Sequence, residues 1–139
     1  MMPFRWRDNL SLGVPAVDKD HRHLMALLNR LHYSMLGGDD RTAIGGVLDE
    51  LVDYTRTHFR REEMLMRRSG YPDYAAHCRL HEVLTAQVAS QQSRFHCDPQ
   101  AFDVGRFYRF LGDWLTMHIL GEDMKLKPWI EKLEGSQAA

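Results

Sequence analysis

The chain has 139 residues, 44% of them hydrophobic and 27% charged, and a net charge of −1 at neutral pH. That size and balance fit one globular domain and exclude long-range disorder. The near-zero charge excludes a strong field onto nucleic acid or an anionic membrane. Beside only two cysteines stand eight histidines, which are either scatter or ligands.

One domain is expected over 1–139, with an N-terminal arm over about 1–17 and a frayed tail over about 135–139. The longest unbroken apolar run, Leu24 to Leu28, falls far short of the roughly 20 residues of a spanning helix. The N-terminus has no apolar stretch of signal-peptide type, so the expected compartment is the cytoplasm.

Periodicity is helical throughout. The first segment reads Val17, His21, Leu24, Leu28, Leu31, Met35 at 3–4 spacing, with Asp18 as N-cap and Gly37-Gly38 as stop. The second opens at Asp39-Asp40 and reads Ile44, Leu48, Leu51, Thr55, His58, Glu62, Leu65 before Ser69-Gly70 ends it. Gly45-Gly46 sits in its first turns with no reason visible in the sequence. Pro72 suits the first position of a third helix, which reads Tyr74, His77, His81, Leu84, Val88. Asp98-Pro99 is a cap-plus-proline start for a fourth, reading Val104, Phe107, Leu111, Trp114, His118. Four helices with short connections pack as antiparallel neighbours. The expected fold is all-α, an antiparallel up-down-up-down four-helix bundle with these stripes facing inward. A helix between Cys78 and Cys97 holds them about 28 Å apart, beyond bridging distance, so both are expected as free thiols.

The stripes contain what an apolar core should not: His21, His58, Glu62, His77, His81 and His118. Burying one polar group without a partner costs about 1–3 kcal/mol, so six aimed at one axis need something that satisfies them together. A metal centre does so. His58 and Glu62 are i, i+4, and so are His77 and His81; each pair shares a helix face about 6 Å apart at Cβ. Asp123 follows His118 by five residues, about 140° further round an ideal helix. It reaches the same centre only if the helix distorts, and Gly121 lies inside that interval to ease a bulge. Taken singly, each motif has a plainer explanation: a coincidental His-x-x-x-His, a solvated Glu62, a satisfied core histidine. All four helices supplying ligands together is the stronger signal. The zinc-protease pattern fails, because Cys78 rather than glutamate follows His77. The carboxylate-rich di-iron pattern fails for want of Glu-x-x-His. A histidine-rich set suits iron, copper or zinc.

In Val17-Asp18-Lys19-Asp20-His21, His58-Phe59 with Glu62-Glu63, Tyr71-Pro72, His77-x-x-x-His81, and His118-Ile119 ending in Asp123, the chain resembles the hemerythrin family, in particular its single-domain bacterial members. The resemblance runs from about Trp6 to Trp129. It implies a four-helix bundle with two non-haem iron ions bridged by oxide or hydroxide, and reversible binding of O2. By resemblance, His77, His81 and His118 hold one iron, His21 and His58 the other, and Glu62 and Asp123 bridge them. Leu24, Phe59, Trp114 and Leu120 stand at the family's O2-pocket positions, though ordinary core packing explains them too. Asp20 stands where the family commonly has glutamine, which changes the hydrogen bonding behind the ligands. Leu84 replaces a common aromatic, and Met124 to Trp129 depart from the usual sequence.

His23, His32 and His96 match no ligand position. Arg56, Arg60, Arg61, Arg67 and Arg68 are expected on a solvated face, Cys78 as a small packed residue, and the methionines as core filler. The first function implied is O2 carriage, storage or delivery, by a binding protein rather than an enzyme. A sensor is the second, and the short stretches outside the ligands leave it to act through a separate partner protein. A di-iron oxidase, peroxidase or nitric-oxide-handling enzyme is the third; it needs an acid–base group beside the open iron, and only Glu63, turned inward, is in reach. A metal buffer is the fourth. The protein that accepts the O2 is not named by the sequence.

Overall fold

The computed structural model describes Trp6 and residues 10–37 and 40–138, the backbone alone at 119–120 and 134–138. Helix α1 spans Pro15–Leu36, α2 Arg41–Ser69, α3 Tyr74–Cys97 and α4 Val104–Met117. A π-turn over His118–Glu122 and a 3-10 turn over Asp123–Leu126 then lead into α5, Lys127–Ala138. Among the described residues no helix is long and apolar enough to cross a membrane.

Several helix ends fall elsewhere than the sequence suggests. Of the arm expected over about 1–17, residues 1–5 and 7–9 lie outside the described residues, and α1 already begins at Pro15, with proline in its first turn. Asp18 is therefore not the N-cap. It sits inside the helix, and its carboxylate accepts from Leu12 N at 2.9 Å and from the Ser11 hydroxyl, tying the incoming chain to the first turn. Gly37 ends α1, while Gly38 and Asp39 lie outside the described residues. Asp40 caps α2 by accepting from Thr42 N and Ala43 N at 3.0 and 3.3 Å. At its other end Gly70 takes the left-handed conformation, φ 71°, that favours glycine. Pro72 lies in the turn before α3 rather than in its first position. Asp98 closes a turn by accepting from Ala101 N, and α4 begins only after Asp103, which accepts from Arg106 N at 3.0 Å. Helix α5 runs through Ala138, over most of the tail expected to fray.

The glycine pair in α2 divides. A Cβ on Gly45 would stand 2.8 Å from the Phe95 ring, so this glycine lets α3 approach α2; Gly46 faces open space.

The apolar interior falls into two regions. The larger includes Leu24, Leu28, Leu51, Phe59, Leu84, Val88, Phe107 and Leu111. The smaller is Leu12, Val14, Val17, Met66, Tyr71, Leu126 and Ile130. Each fully buried large apolar side chain contributes about 1.5–3 kcal/mol. Going up the chain, α1 runs from the small region to the large, α2 from large to small, α3 from small to large, and the α4 segment back to small. That alternation is the up-down-up-down order. His21, His58, His77, His81 and His118 fall between the two regions. Met64 and Met117 are exposed, so not all methionines fill the core, while Met25 and Met66 do. Both cysteines are free, and Cys97 is the last residue of α3. Cys78 packs against the small region, and burial pushes its thiol up.

Candidate metal centre

His21, His58, Glu62, His77, His81, His118 and Asp123 are all buried, none more than 3% exposed. The inward stripes of α1, α2 and α3 place the first five. His118 and Asp123 come together because the chain winds as a π-turn between them. Its i to i+5 bonding widens the turn and brings the fifth residue back toward the same face. His118 Nε2 lies 2.8 Å from Asp123 Oδ1. A Cβ on Gly121 would meet open space, so the π-turn does not depend on a missing side chain there.

The donor atoms form two overlapping groups. One holds His77, His81, His118, Glu62 and Asp123; the other holds His21, His58, Glu62 and Asp123. Each carboxylate divides its oxygens between them. Glu62 Oε1 is 2.9 Å from His77 Nε2 and 3.2 Å from His81 Nε2, while Oε2 is 2.7 Å from His58 Nε2. Asp123 Oδ1 faces His118 and His77, the latter at 3.3 Å, while Oδ2 is 3.0 Å from His21 Nε2. Every histidine turns Nε2 inward.

A metal pair fits this set better than a hydrogen-bonded core does. Two imidazole nitrogens stand 3.1 Å apart at His21 and His58, and two more 3.3 Å apart at His81 and His118. Bonds of about 2.1 Å at a right angle on one ion would set nitrogens about 3 Å apart. Glu62 Oε2 and both Asp123 oxygens are buried without a properly aligned hydrogen bond. They lie at ion-pair distance from the histidines, but with lone pairs directed at shared space rather than at N–H groups. Orphaned acceptors of this kind are rare unless an ion or water accounts for them.

Without metal, the cluster holds itself together by charge. Burial disfavours the charged imidazoles, but the carboxylates outweigh it. Glu62 and Asp20 push His58 up to about 9, Asp123 and Glu62 push His77 up to about 9, and the same pair pushes His118 up to about 10. His21 is raised as well. Burial and the charge of Glu62 oppose ionisation of Asp123, yet His118 and His21 bring it down to about 2. Burial likewise opposes ionisation of Glu62, but His58 and its neighbours hold it well below the usual carboxylate range.

Two further carboxylates back the histidines from outside. Asp20 accepts at His58 Nδ1, and Glu63, whose side chain is 29% exposed, lies 3.3 Å from His81 Nδ1. Tyr54 and Arg61 also bond Asp20. Arg61 is thus not simply on a solvated face, though Arg56, Arg60, Arg67 and Arg68 are exposed as expected. Neither Tyr54 nor Arg61 is found by sequence reasoning, because their partner lies on another helix.

Phe59 stacks on His81, ring centroids 3.8 Å apart and planes 7° apart, and Trp114 stacks on His118 at 4.5 Å and 16°. Leu24 and Trp114 line a narrow apolar gap of about 10 Å³ with Leu84 and Leu111. The side chain of Leu120 lies outside the described residues. The histidines left unassigned are elsewhere: His23 stacks on Tyr54 and pairs with Glu50, His32 packs beside Tyr108, and exposed His96 pairs with Asp49. A groove of about 540 Å³ over Arg94, Phe102, Arg106 and Phe110 touches none of the seven.

The model of the hemerythrin HHE cation-binding domain matches residues 12–130. A bacteriohemerythrin of Stenotrophomonas maltophilia is 42% identical over 118 residues, 85% of this chain and 75% of its own length. One from Methylococcus capsulatus is 36% identical over 123 residues, 88% of this chain and 86% of its own. The crystal structure of a wild-type hemerythrin superposes with a TM-score of 0.84 at 34% identity, covering 91% of this chain and 97% of that one.

Proposed function

This chain belongs to the hemerythrin family, and on that premise we propose that it binds O2 reversibly at a non-haem di-iron centre, for carriage, storage or delivery. The observation that carries the proposal is the pair of buried donor groups sharing Glu62 and Asp123. His77, His81 and His118 would hold one iron, His21 and His58 the other, and the two carboxylates would bridge them. When bound, the iron pair supplies the electrons and the coordination position that O2 needs.

The chain's own residues explain why such a centre would favour reversible binding. The first group offers five donors and the second only four, so the protein fills the second pocket less completely. Five of the seven ligands are neutral imidazoles when loaded, with only two carboxylates to stabilise higher oxidation states. Phe59 and Trp114 lie flat on His81 and His118 and keep water from that side. Leu24 and Trp114 also line a narrow, mostly apolar gap, a surrounding suited to a small neutral gas. The carboxylates nearest the centre from outside, Asp20 and Glu63, are both bonded to ligand histidines, which favours binding over catalysis. Glu63 thus turns to His81 and not to the second pocket.

The test is to reduce the purified protein without air, count iron, admit O2 and follow the visible spectrum. Two irons per chain and a charge-transfer band that disappears when O2 is removed are expected. Fewer than two irons, or zinc alone, overturns the di-iron proposal. Rapid bleaching to the oxidised form assigns the centre to sensing or to oxidase chemistry instead.

A further inference from the structure

Asp20 precedes a proposed ligand in the sequence, yet its side chain serves a different one. From α1 it crosses to α2 and meets three donors there. Its Oδ2 takes His58 Nδ1 at 3.2 Å and Arg61 Nε at 2.8 Å, and its Oδ1 takes the Tyr54 hydroxyl at 2.9 Å. Tyr54, His58 and Arg61 follow one another at helical spacing, so one face of α2 presents all three. The Asp20 side chain is only 2% exposed. A carboxylate buried this deeply is costly unless paired and hydrogen-bonded, and here three donors fix both oxygens. An ionised carboxylate only accepts, so Nδ1 of His58 carries the proton of this contact, and Nε2 is the nitrogen directed at Glu62 and the centre. The other histidine of the same pocket differs: Nδ1 of His21 is buried without a partner.

We propose that Asp20 is a positioning residue for the second pocket: it locks the His58 ring with Nε2 inward and strengthens that nitrogen as a metal donor, and Arg61 moderates the effect by drawing on the same carboxylate oxygen. Outer carboxylates act on ligand histidines in this way generally. The particular feature here is the counter-charge. Arg61 is 42% exposed along its side chain and closes Asp20 off from solvent, so it is placed to set how much of the anion His58 receives. The two pocket histidines are thereby made unequal, His58 a stronger donor than His21. The inference rests on the di-iron proposal for its metal but not for its geometry.

The experiment compares full-length wild type, Asp20→Asn, Asp20→Ala, Asp20→Glu and Arg61→Gln. Zinc titration against a competing chelator reads the second equivalent, and the iron-loaded forms give the midpoint potential. Asp20→Ala should weaken the second zinc about tenfold to a hundredfold, the usual cost of losing an outer partner, and Asp20→Glu should recover part of it. Asp20→Asn should raise the iron potential, because the ring loses an anion, and Arg61→Gln should lower it, because the anion is then shared less. A merely structural role would move both variants the same way. In the metal-free chain, NMR should show a slowly exchanging His58 Nδ1–H in wild type that is lost in Asp20→Ala. Unchanged second-site affinity in Asp20→Ala, potentials moving in one direction, or an unprotected Nδ1–H in wild type would each overturn the proposal. If wild type takes fewer than two ions, the di-iron proposal fails instead, and the metal-free NMR comparison still decides the role of Asp20.

Discussion

His118 Nε2 stands 2.8 Å from Asp123 Oδ1 although the two are five residues apart, a meeting that only the π-turn between them allows. Gly121 lies within that turn facing open space. Gly121→Ala is therefore expected to keep full metal content. Gly121→Pro should lose it and destabilise the fold by about 3 kcal/mol or more, since proline removes a turn hydrogen bond and clashes with the preceding turn. Metal analysis with thermal melts reads both. Loss of metal in the alanine variant would show that the turn depends on the glycine after all.

The histidines sort by position, and substitution tests the sorting. His77→Ala removes a donor from the five-membered group and leaves Glu62 Oε1 and Asp123 Oδ1 short of a partner, so metal should drop below two ions per chain. His23→Ala touches only Tyr54 and Glu50 at the half-exposed edge and should leave two. Equal behaviour of the two variants counts against the assignment.

Stability of the metal-free chain should depend on pH with a definite sign. His21, His58, His77 and His118 are raised above their ordinary value of 6.5. Their contribution is complete below that value and fades as pH rises, through about 9 for His58 and His77 and about 10 for His118. Glu62 and Asp123 are lowered from 4.5 and 3.8; their contribution is present above those values and is lost on acidification, through about 2 for Asp123. Melting temperature of the metal-free protein should thus peak between about pH 4.5 and 6.5 and fall toward pH 10. Metal uptake runs the other way, since each imidazole must give up its proton, and should release protons measurably by calorimetry in two buffers. A flat melting temperature from pH 6.5 to 9.5 would contradict the first half.

Gly45 and Gly46 should respond with opposite signs. Alanine at 45 drives a methyl group to 2.8 Å from the Phe95 ring and should cost about 1–3 kcal/mol as overpacking. Alanine at 46 points into open space on an exposed face and should add about 1 kcal/mol through helix propensity. Denaturant melts of the two single variants distinguish them.

The helices and their inward faces were legible because a 3.6-residue period is printed directly in the order of apolar residues, and His21, His58, Glu62, His77, His81 and His118 could be placed on those faces by the same rule. Asp123 was legible through the family resemblance and not through its phase, whose misfit demanded a distorted turn between it and His118. Helix starts were not. Asp18, Pro72 and Asp98 all carry the chemistry of a cap or first turn, but which residue caps depends on where the chain enters, and tertiary packing decides that. Asp20 was visible as a departure, whereas its partners Tyr54 and Arg61 were not, since contacts between helices leave no spacing to read. The purpose of Gly45 was hidden for the same reason: the ring it accommodates is fifty residues away in sequence.

The seven polar side chains form a stratum between a large apolar region and a small one built from Leu12, Val14, Val17, Met66, Tyr71, Leu126 and Ile130. That makes the centre a seam in the cooperativity of the fold as well as a place for chemistry. With ions in it, helices α1 to α3 and the turns that join α4 to α5 would be cross-linked at one level and should open as a unit. Stripped of them, the small region and α5 lose that cross-link, and native-state hydrogen exchange should divide there, with the residues around Leu126 and Ile130 losing protection before those around Leu51 and Leu111.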